Sequence, residues 1–149
     1  MNRIARVFLG LVALAAPIVA EKKVKMEDLP PAVQAAVKEQ TKNATLVGVS
    51  TEKEKGKTMY EVETKVNGKT RDLLLDSTGA VVEVEQQVDL STVPAAAKNA
   101  IEKKAAGGTI ELVETVTKGS APVYYEAQIK TKAGKKIETS VNADGTPHK

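Results

Sequence analysis

One pattern occurs twice along this chain, and the repetition constrains the fold more than any other feature. The matching pairs are Leu29-Pro30 with Val93-Pro94, Ala36-Val37 with Ala100-Ile101, Tyr60-Glu61 with Tyr125-Glu126, Gly68-Lys69 with Gly134-Lys135, and Gly79 with Gly145. The offset between the copies grows from 64 residues (29 to 93) to 66 residues (79 to 145). Such a drift is typical of two copies of one folding unit that differ by short loop insertions.

The first 20 residues have the order of a secretory signal peptide. Arg3 and Arg6 precede an apolar run from Val7 to Ala16, and the segment ends at Ala20 before the charged Glu21-Lys22-Lys23. This order predicts cleavage after Ala20. The stretch 7–20 is also shorter than the roughly 20 apolar residues that cross a bilayer. We therefore expect a periplasmic or secreted protein with no stable membrane insertion once the signal is removed.

Each copy has the pattern of a helix followed by an antiparallel sheet. Val33 and Val37 stand one helical turn apart behind Pro30-Pro31, and proline suits the first turn of a helix. From Thr58 to Val66, apolar and charged residues alternate, which indicates a strand with one buried face and one wet face. Asn67-Gly68 then supplies the turn of a two-residue hairpin.

The resulting prediction is an α+β protein made of two tandem repeats. Each repeat has one N-terminal helix packed on one face of a three- or four-stranded antiparallel sheet. The predicted boundaries are 1–20 for the signal peptide, 21–88 for the first repeat and 89–149 for the second. The segment 85–90 between the copies contains no glycine, proline or serine, so we interpret it as an extended, ordered connector.

Composition excludes several kinds of chemistry. The chain has no cysteine, so no disulfide framework supports the fold. His148 is the only histidine and lies one residue from the end, where chains often fray, so a catalytic triad or a histidine metal site lacks parts. Loss of Arg3 and Arg6 leaves 20 basic against 19 acidic residues, and this balance does not attract nucleic acid. We predict a protein that is not an enzyme and uses no cofactor or metal.

The sheet face turned away from the helices is the candidate functional site. It should present Met59, Glu61 and Glu63 in the first repeat, and Tyr124, Glu126 and Gln128 in the second. An antiparallel sheet covered on one side leaves the other side for water or for a partner. We predict that these six residues bind another envelope or secreted protein. The alternatives are a plain solvated face, a Glu61/Glu63 acid–base pair, and a small-ion or small-ligand site built on the acidic rows.

The motifs together resemble a known family. Leu29-Pro30-Pro31-Ala32-Val33, Tyr60-Glu61-Val62 and Asp76-Ser77-Thr78-Gly79 are similar to the motifs of the PepSY-like family of exported domains. That family is in turn similar to the beta-lactamase inhibitor protein, which is built from two tandem helix-plus-sheet units. The match spans nearly all of 29–145 and is better in the first copy than in the second. The resemblance implies a non-enzymatic periplasmic or secreted protein, with peptidase inhibition as the family's proposed role.

Overall fold

The computed structural model describes residues 22–149, which form two α-helices and eight β-strands. In chain order the elements are β1 (Lys22–Lys23), α1 (Pro31–Gln40), β2 (Thr45–Glu54), β3 (Lys57–Val66), β4 (Lys69–Leu75), β5 (Val81–Gln87), α2 (Ala95–Ala105), β6 (Thr109–Lys118), β7 (Tyr124–Lys130) and β8 (Lys136–Asn142). The α+β class is confirmed. The predicted signal peptide and its cleavage site at Ala20 lie outside the described residues.

All eight strands belong to one antiparallel sheet, in which each strand pairs with its neighbours in sequence. The expectation of a separate sheet in each repeat is therefore wrong. The two halves join because β5 pairs with β6, with Glu85 opposite Val116 and Gln87 opposite Glu114. Residues 85–87 of the expected connector are thus the end of β5, and their hydrogen bonds to β6 hold the two halves together.

Both helices cover the same face of the sheet, and each forms a hydrophobic core with its own half. The core under α1 contains Leu29, Val33, Val37, Val49, Tyr60, Val62, Leu73 and Leu75. The core under α2 contains Val93, Ala97, Ile101, Ala105, Val113, Ala127, Ile129 and Val141. Full burial of a valine, leucine or isoleucine side chain contributes roughly 1.5–3 kcal/mol. Each helix has a narrow apolar stripe, so its stability depends on this packing against the sheet.

The hairpin predicted between β3 and β4 is confirmed. Asn67 has φ +51° and Gly68 has φ +81°, and both values belong to the left-handed region that a type I′ turn requires. Val66 pairs directly with Lys69 across this turn. The turn therefore sets the register of β3 and β4, and with it the side of the sheet on which each side chain lies.

Two glycines allow the helices to approach the turns that lie beneath them. Gly79, between β4 and β5, has φ +82°, and a Cβ atom there would lie 2.6 Å from the carbonyl oxygen of Ala32 in α1. Gly145, after β8, has φ +81°, and its Cβ atom would lie 2.6 Å from the carbonyl oxygen of Ala96 in α2. Each helix therefore contacts a turn of its own half at a point where only glycine fits.

Candidate functional site

The candidate site lies on the side of the sheet opposite the helices, and we call its part on β3–β7 the open face. Its residues form three rows across the strands. The first row is Glu61, Leu74, Glu83 and Lys118; the second is Glu63, Asp72, Glu85, Val116 and Tyr124; the third is Lys65, Thr70, Gln87, Glu114 and Glu126. Neither helix covers these rows, because both pack on the other side of the sheet.

The residues predicted from the sequence lie at two separate parts of this side of the sheet. Met59, Glu61 and Glu63 belong to β3, whereas Tyr124, Glu126 and Gln128 belong to β7. The strands β4, β5 and β6 stand between the two groups. The predicted residues therefore mark the margins of a wider surface, whose centre is formed by side chains that the sequence analysis did not single out.

The open face is more buried than a row of solvated side chains would be. Glu61 and Asp72 are each 2% exposed, and Met59 and Tyr124 are 6% and 4% exposed. Met59 and Tyr124 are expected from the sequence to stand exposed as contacts, and the structure buries them instead. Side chains on neighbouring strands, which lie about 4.8 Å apart, close over one another and shield them from water.

Carboxylates lie side by side in the second and third rows. Glu63 is directly opposite Asp72, and Asp72 is directly opposite Glu85. Glu114 is likewise opposite Glu126. Like charges in directly opposed positions destabilise a sheet, so this arrangement lowers the stability of the free protein.

Hydroxyl groups support three of the carboxylates. The Oγ of Ser50 donates to Glu61 at 3.4 Å, the Oγ1 of Thr70 donates to Glu114 at 3.2 Å, and the Oγ of Ser140 donates to Glu126 at 3.0 Å. Among residues 22–149, every buried side-chain nitrogen and oxygen has a hydrogen-bond partner. The acidic face is thus held in place by the chain itself.

One lysine is seated among these carboxylates. The Nζ of Lys118 lies 3.2 Å from Oε1 of Glu83 and 5.9 Å from the centre of the Tyr124 ring. Burial raises the pKa of Glu83 to about 7, although the charge of Lys118 acts in the opposite direction. Burial also raises the pKa of Glu126, and it raises the pKa of Tyr124 to about 12. These directions show that the first and third rows lie in a poorly solvated environment.

The last four residues, 146–149, cover one end of the open face, and we call them the C-terminal strap. The backbone N–H of His148 donates to the carbonyl oxygen of Ser140 at 3.0 Å. Its ring stacks on the Tyr124 ring, with centroids 3.6 Å apart and planes 6° from parallel. Its Nδ1 lies 2.8 Å from Oδ1 of Asn142. The expectation of a frayed end at His148 is therefore wrong.

Two structural searches of residues 22–149 returned nothing. No three or more histidine, cysteine, aspartate or glutamate side chains are grouped so that they could hold a metal ion. In the same residues, no helix is long and apolar enough to cross a membrane.

Known proteins resemble this chain in structure rather than in sequence. No protein-family model matches it, and no curated protein matches it. A protein from Bacteroides eggerthii that is named as periplasmic is 20% identical, with a TM-score of 0.66 over 81% of this chain and 86% of its own. A DUF2874 family protein from Bacteroides uniformis is 20% identical, with a TM-score of 0.64 over 80% and 86%. A BLIP-like protein from Bacteroides fragilis is 17% identical, with a TM-score of 0.57 over 81% and 84%.

These similarities assign the fold. The chain covers more than four fifths of each of the three solved structures, so the whole eight-stranded arrangement is shared. The fold is therefore BLIP-like. At such identities a shared fold does not transfer an activity, and the chemistry must be argued from the open face of this chain.

The sequence analysis overlooked Glu83, Glu85 and Lys118, although a signal for the first two was present. Glu83-Val84-Glu85 alternates with the period of a strand, and Val84 packs against the first core. The two glutamates must then point to the opposite side. Lys118 could not be found in this way, because its position beside Glu83 depends on the pairing of β5 with β6.

Replacement of His148 with alanine is expected to uncover Tyr124. A stacked pair of rings contributes about 0.5–1.5 kcal/mol, so the variant should stay folded while the Tyr124 ring becomes accessible. We expect Tyr124 to be nitrated by tetranitromethane several times faster than in the wild type, as measured by peptide mass spectrometry. The buried Tyr60 is the internal reference, and Lys149→Ala is the control that should leave the rate unchanged. Equal rates in His148→Ala and the wild type would contradict the stacking.

Proposed function

We propose that this chain is an exported, non-enzymatic protein-binding module whose open face docks another envelope or secreted protein. Inhibition of a peptidase or another hydrolase is the form of binding that the PepSY-like resemblance suggests. We further propose that the fold arose from two tandem PepSY-like copies, with the chain acting in the periplasm or outside the cell.

One observation carries the docking proposal, namely a sheet face five strands wide that neither helix covers. Both hydrophobic cores lie on the other side of the sheet, so the open face is not required for core packing. Nevertheless it holds the buried Leu74 and Val116 among well-ordered polar side chains. A mixed apolar and polar surface of this kind suits recognition of a protein. The BLIP-like and periplasmic names of structural relatives agree with this role and location.

The proposal of two copies is supported by the matching contacts in the two halves. Helix α1 precedes β2–β5, and helix α2 precedes β6–β8. The glycine contact of Gly79 with Ala32 recurs as that of Gly145 with Ala96, with the same distance of 2.6 Å. Two unrelated halves would have no reason to share this detail.

A capture experiment tests the proposed function. The protein without its signal is coupled to a resin through an added N-terminal cysteine and exposed to an envelope extract of its own organism. Bound proteins are identified by mass spectrometry, and each candidate is then purified and rebound. We expect the charge reversal Glu63→Arg on the open face to reduce retention of the partner at least tenfold, because it places a long cation in the docking surface.

The matched control is Glu39→Arg, which makes the same charge change on the exposed surface of α1. We expect it to retain the partner within twofold of the wild type. Equal losses in the two variants would argue against the open face, and so would equal retention. A purified partner that is bound but not inhibited would remove the inhibitor role and leave the docking role in place.

A further inference from the structure

The charges of this protein are strongly segregated. The three rows of the open face contain seven carboxylates, Glu61, Glu63, Asp72, Glu83, Glu85, Glu114 and Glu126, against two lysines, Lys65 and Lys118. Residues 21–149 contain 20 basic and 19 acidic residues, which leaves 18 basic and 12 acidic residues outside the rows. The open face is therefore negative on a protein that is close to neutral. Such a field attracts a partner surface of positive charge and repels a negative one.

Lys118 shows how a cation is received on this face. Its ammonium group contacts Glu83 at 3.2 Å and lies 5.9 Å from the centre of the Tyr124 ring. A carboxylate together with the face of an aromatic ring is a favourable environment for a lysine or an arginine. The chain thus provides, from its own sequence, an example of a basic side chain bound on the open face.

The second row has the same kind of environment with no basic residue in register. Glu63, Asp72 and Glu85 stand directly opposite one another, and the row continues with Val116. A cation placed on this row would relieve the repulsion between opposed carboxylates. The neighbouring Leu74 and Val116, which are 2% and 0% exposed, offer apolar surface for the aliphatic stem of such a side chain.

From this arrangement we propose that the open face binds a lysine- or arginine-rich segment of its protein partner, with Glu63, Asp72 and Glu85 as the receiving row. The inference rests on the proposed docking function and adds the chemistry of the partner. Binding exchanges the repulsion within the row for charge-assisted hydrogen bonds to the incoming side chains. The affinity should therefore fall steeply as the salt concentration rises.

The test measures binding of an acetylated and amidated hepta-arginine peptide by calorimetry. The face variant is Glu63→Gln/Glu85→Gln, and the matched control is Glu39→Gln/Glu102→Gln, which removes the same charge from exposed helix positions. We expect the Kd of the peptide to rise at least tenfold in the face variant and to stay within twofold in the control. The face variant should melt no lower than the wild type, because it loses opposed charges; should it melt lower, Glu63→Gln alone is used, since that side chain is only half-buried.

Three results would overturn the inference. The wild type could fail to bind the peptide, the control could weaken binding as much as the face variant, or calcium chloride could give its own heat and displace the peptide, which would identify a cation site instead. Capture of an envelope protein through Glu63 combined with no peptide binding would overturn only the basic-segment inference. Peptide binding that depends on Glu63 and Glu85, with no envelope protein captured, would count against the proposed function.

Discussion

Replacement of Gly79 or Gly145 with alanine is expected to lower the free energy of unfolding by about 2–4 kcal/mol. Each substitution imposes two costs. An alanine is strained at φ +82° or +81°, and its Cβ atom would lie 2.6 Å from the carbonyl oxygen of Ala32 or Ala96. The helix backbone cannot move away without giving up its packing on the sheet, so the clash must be relieved by displacing the helix. Urea denaturation monitored by circular dichroism measures the loss.

The matched controls separate the strain from the clash. Gly68 and Gly134 have φ +81° and +79°, and a Cβ atom at either position would meet nothing within 4 Å. Alanine at these positions should therefore cost only the conformational strain, about 1–2 kcal/mol. If Gly79→Ala and Gly68→Ala lowered stability equally, the close approach of helix and turn would be refuted.

The second large effect concerns Glu83 and pH. Burial raises the pKa of Glu83 from 4.5 to about 7 in the folded protein, against the opposing influence of Lys118. The folded state therefore binds this proton more tightly than the unfolded state does. The stabilisation is fully present below pH 4.5 and is lost as the pH rises through about 7.

Glu83→Gln should consequently be more stable than the wild type above pH 8, by about 1–2 kcal/mol, after allowance for solvent screening of the side chain. The difference should vanish near pH 4.5, where the wild-type carboxyl is protonated and resembles the amide. Thermal melts of both proteins across this range measure the effect. Glu102→Gln, on the exposed surface of α2, is the control and should follow the wild type. A difference between Glu83→Gln and the wild type that does not change with pH would contradict the raised pKa.

Local sequence patterns were sufficient to predict the helices, most strands and the sides of the sheet. The hairpin at Asn67-Gly68 depends on two adjacent residues, and the alternation in β3 depends on nine. Such signals lie within one element, so they can be recognised without knowledge of the fold. This is why Tyr60 was placed towards α1 and Glu61 away from it, as the structure has them.

Pairing between the two halves was not predictable in the same way. Glu83 and Lys118 are partners across β5 and β6, yet α2 and the turns around it separate them in sequence. The absence of glycine and proline in 85–90 indicated an extended segment, which was correct, but an extended segment can be either a connector or a strand. Only its hydrogen bonds to β6 distinguish the two.

The candidate site was predicted at its edges and missed at its centre for a related reason. Periodicity assigns a residue to a side of the sheet, but it does not say which residues of other strands lie beside it. The row formed by Glu63, Asp72 and Glu85 exists only through the register of three strands. The burial of Tyr124 depends on His148, whose position near the end of the chain gave no hint of order.

The position of the C-terminal strap affects how this protein should be handled in the laboratory. Because His148 stacks on Tyr124, any affinity tag or fluorescent fusion placed after Lys149 would begin beside the surface under study. A polyhistidine tag would add rings of the same chemistry as His148 at high local concentration, and it could replace His148 on Tyr124. Labels for interaction studies therefore belong at the amino end of the secreted form, or on an exposed position of either helix.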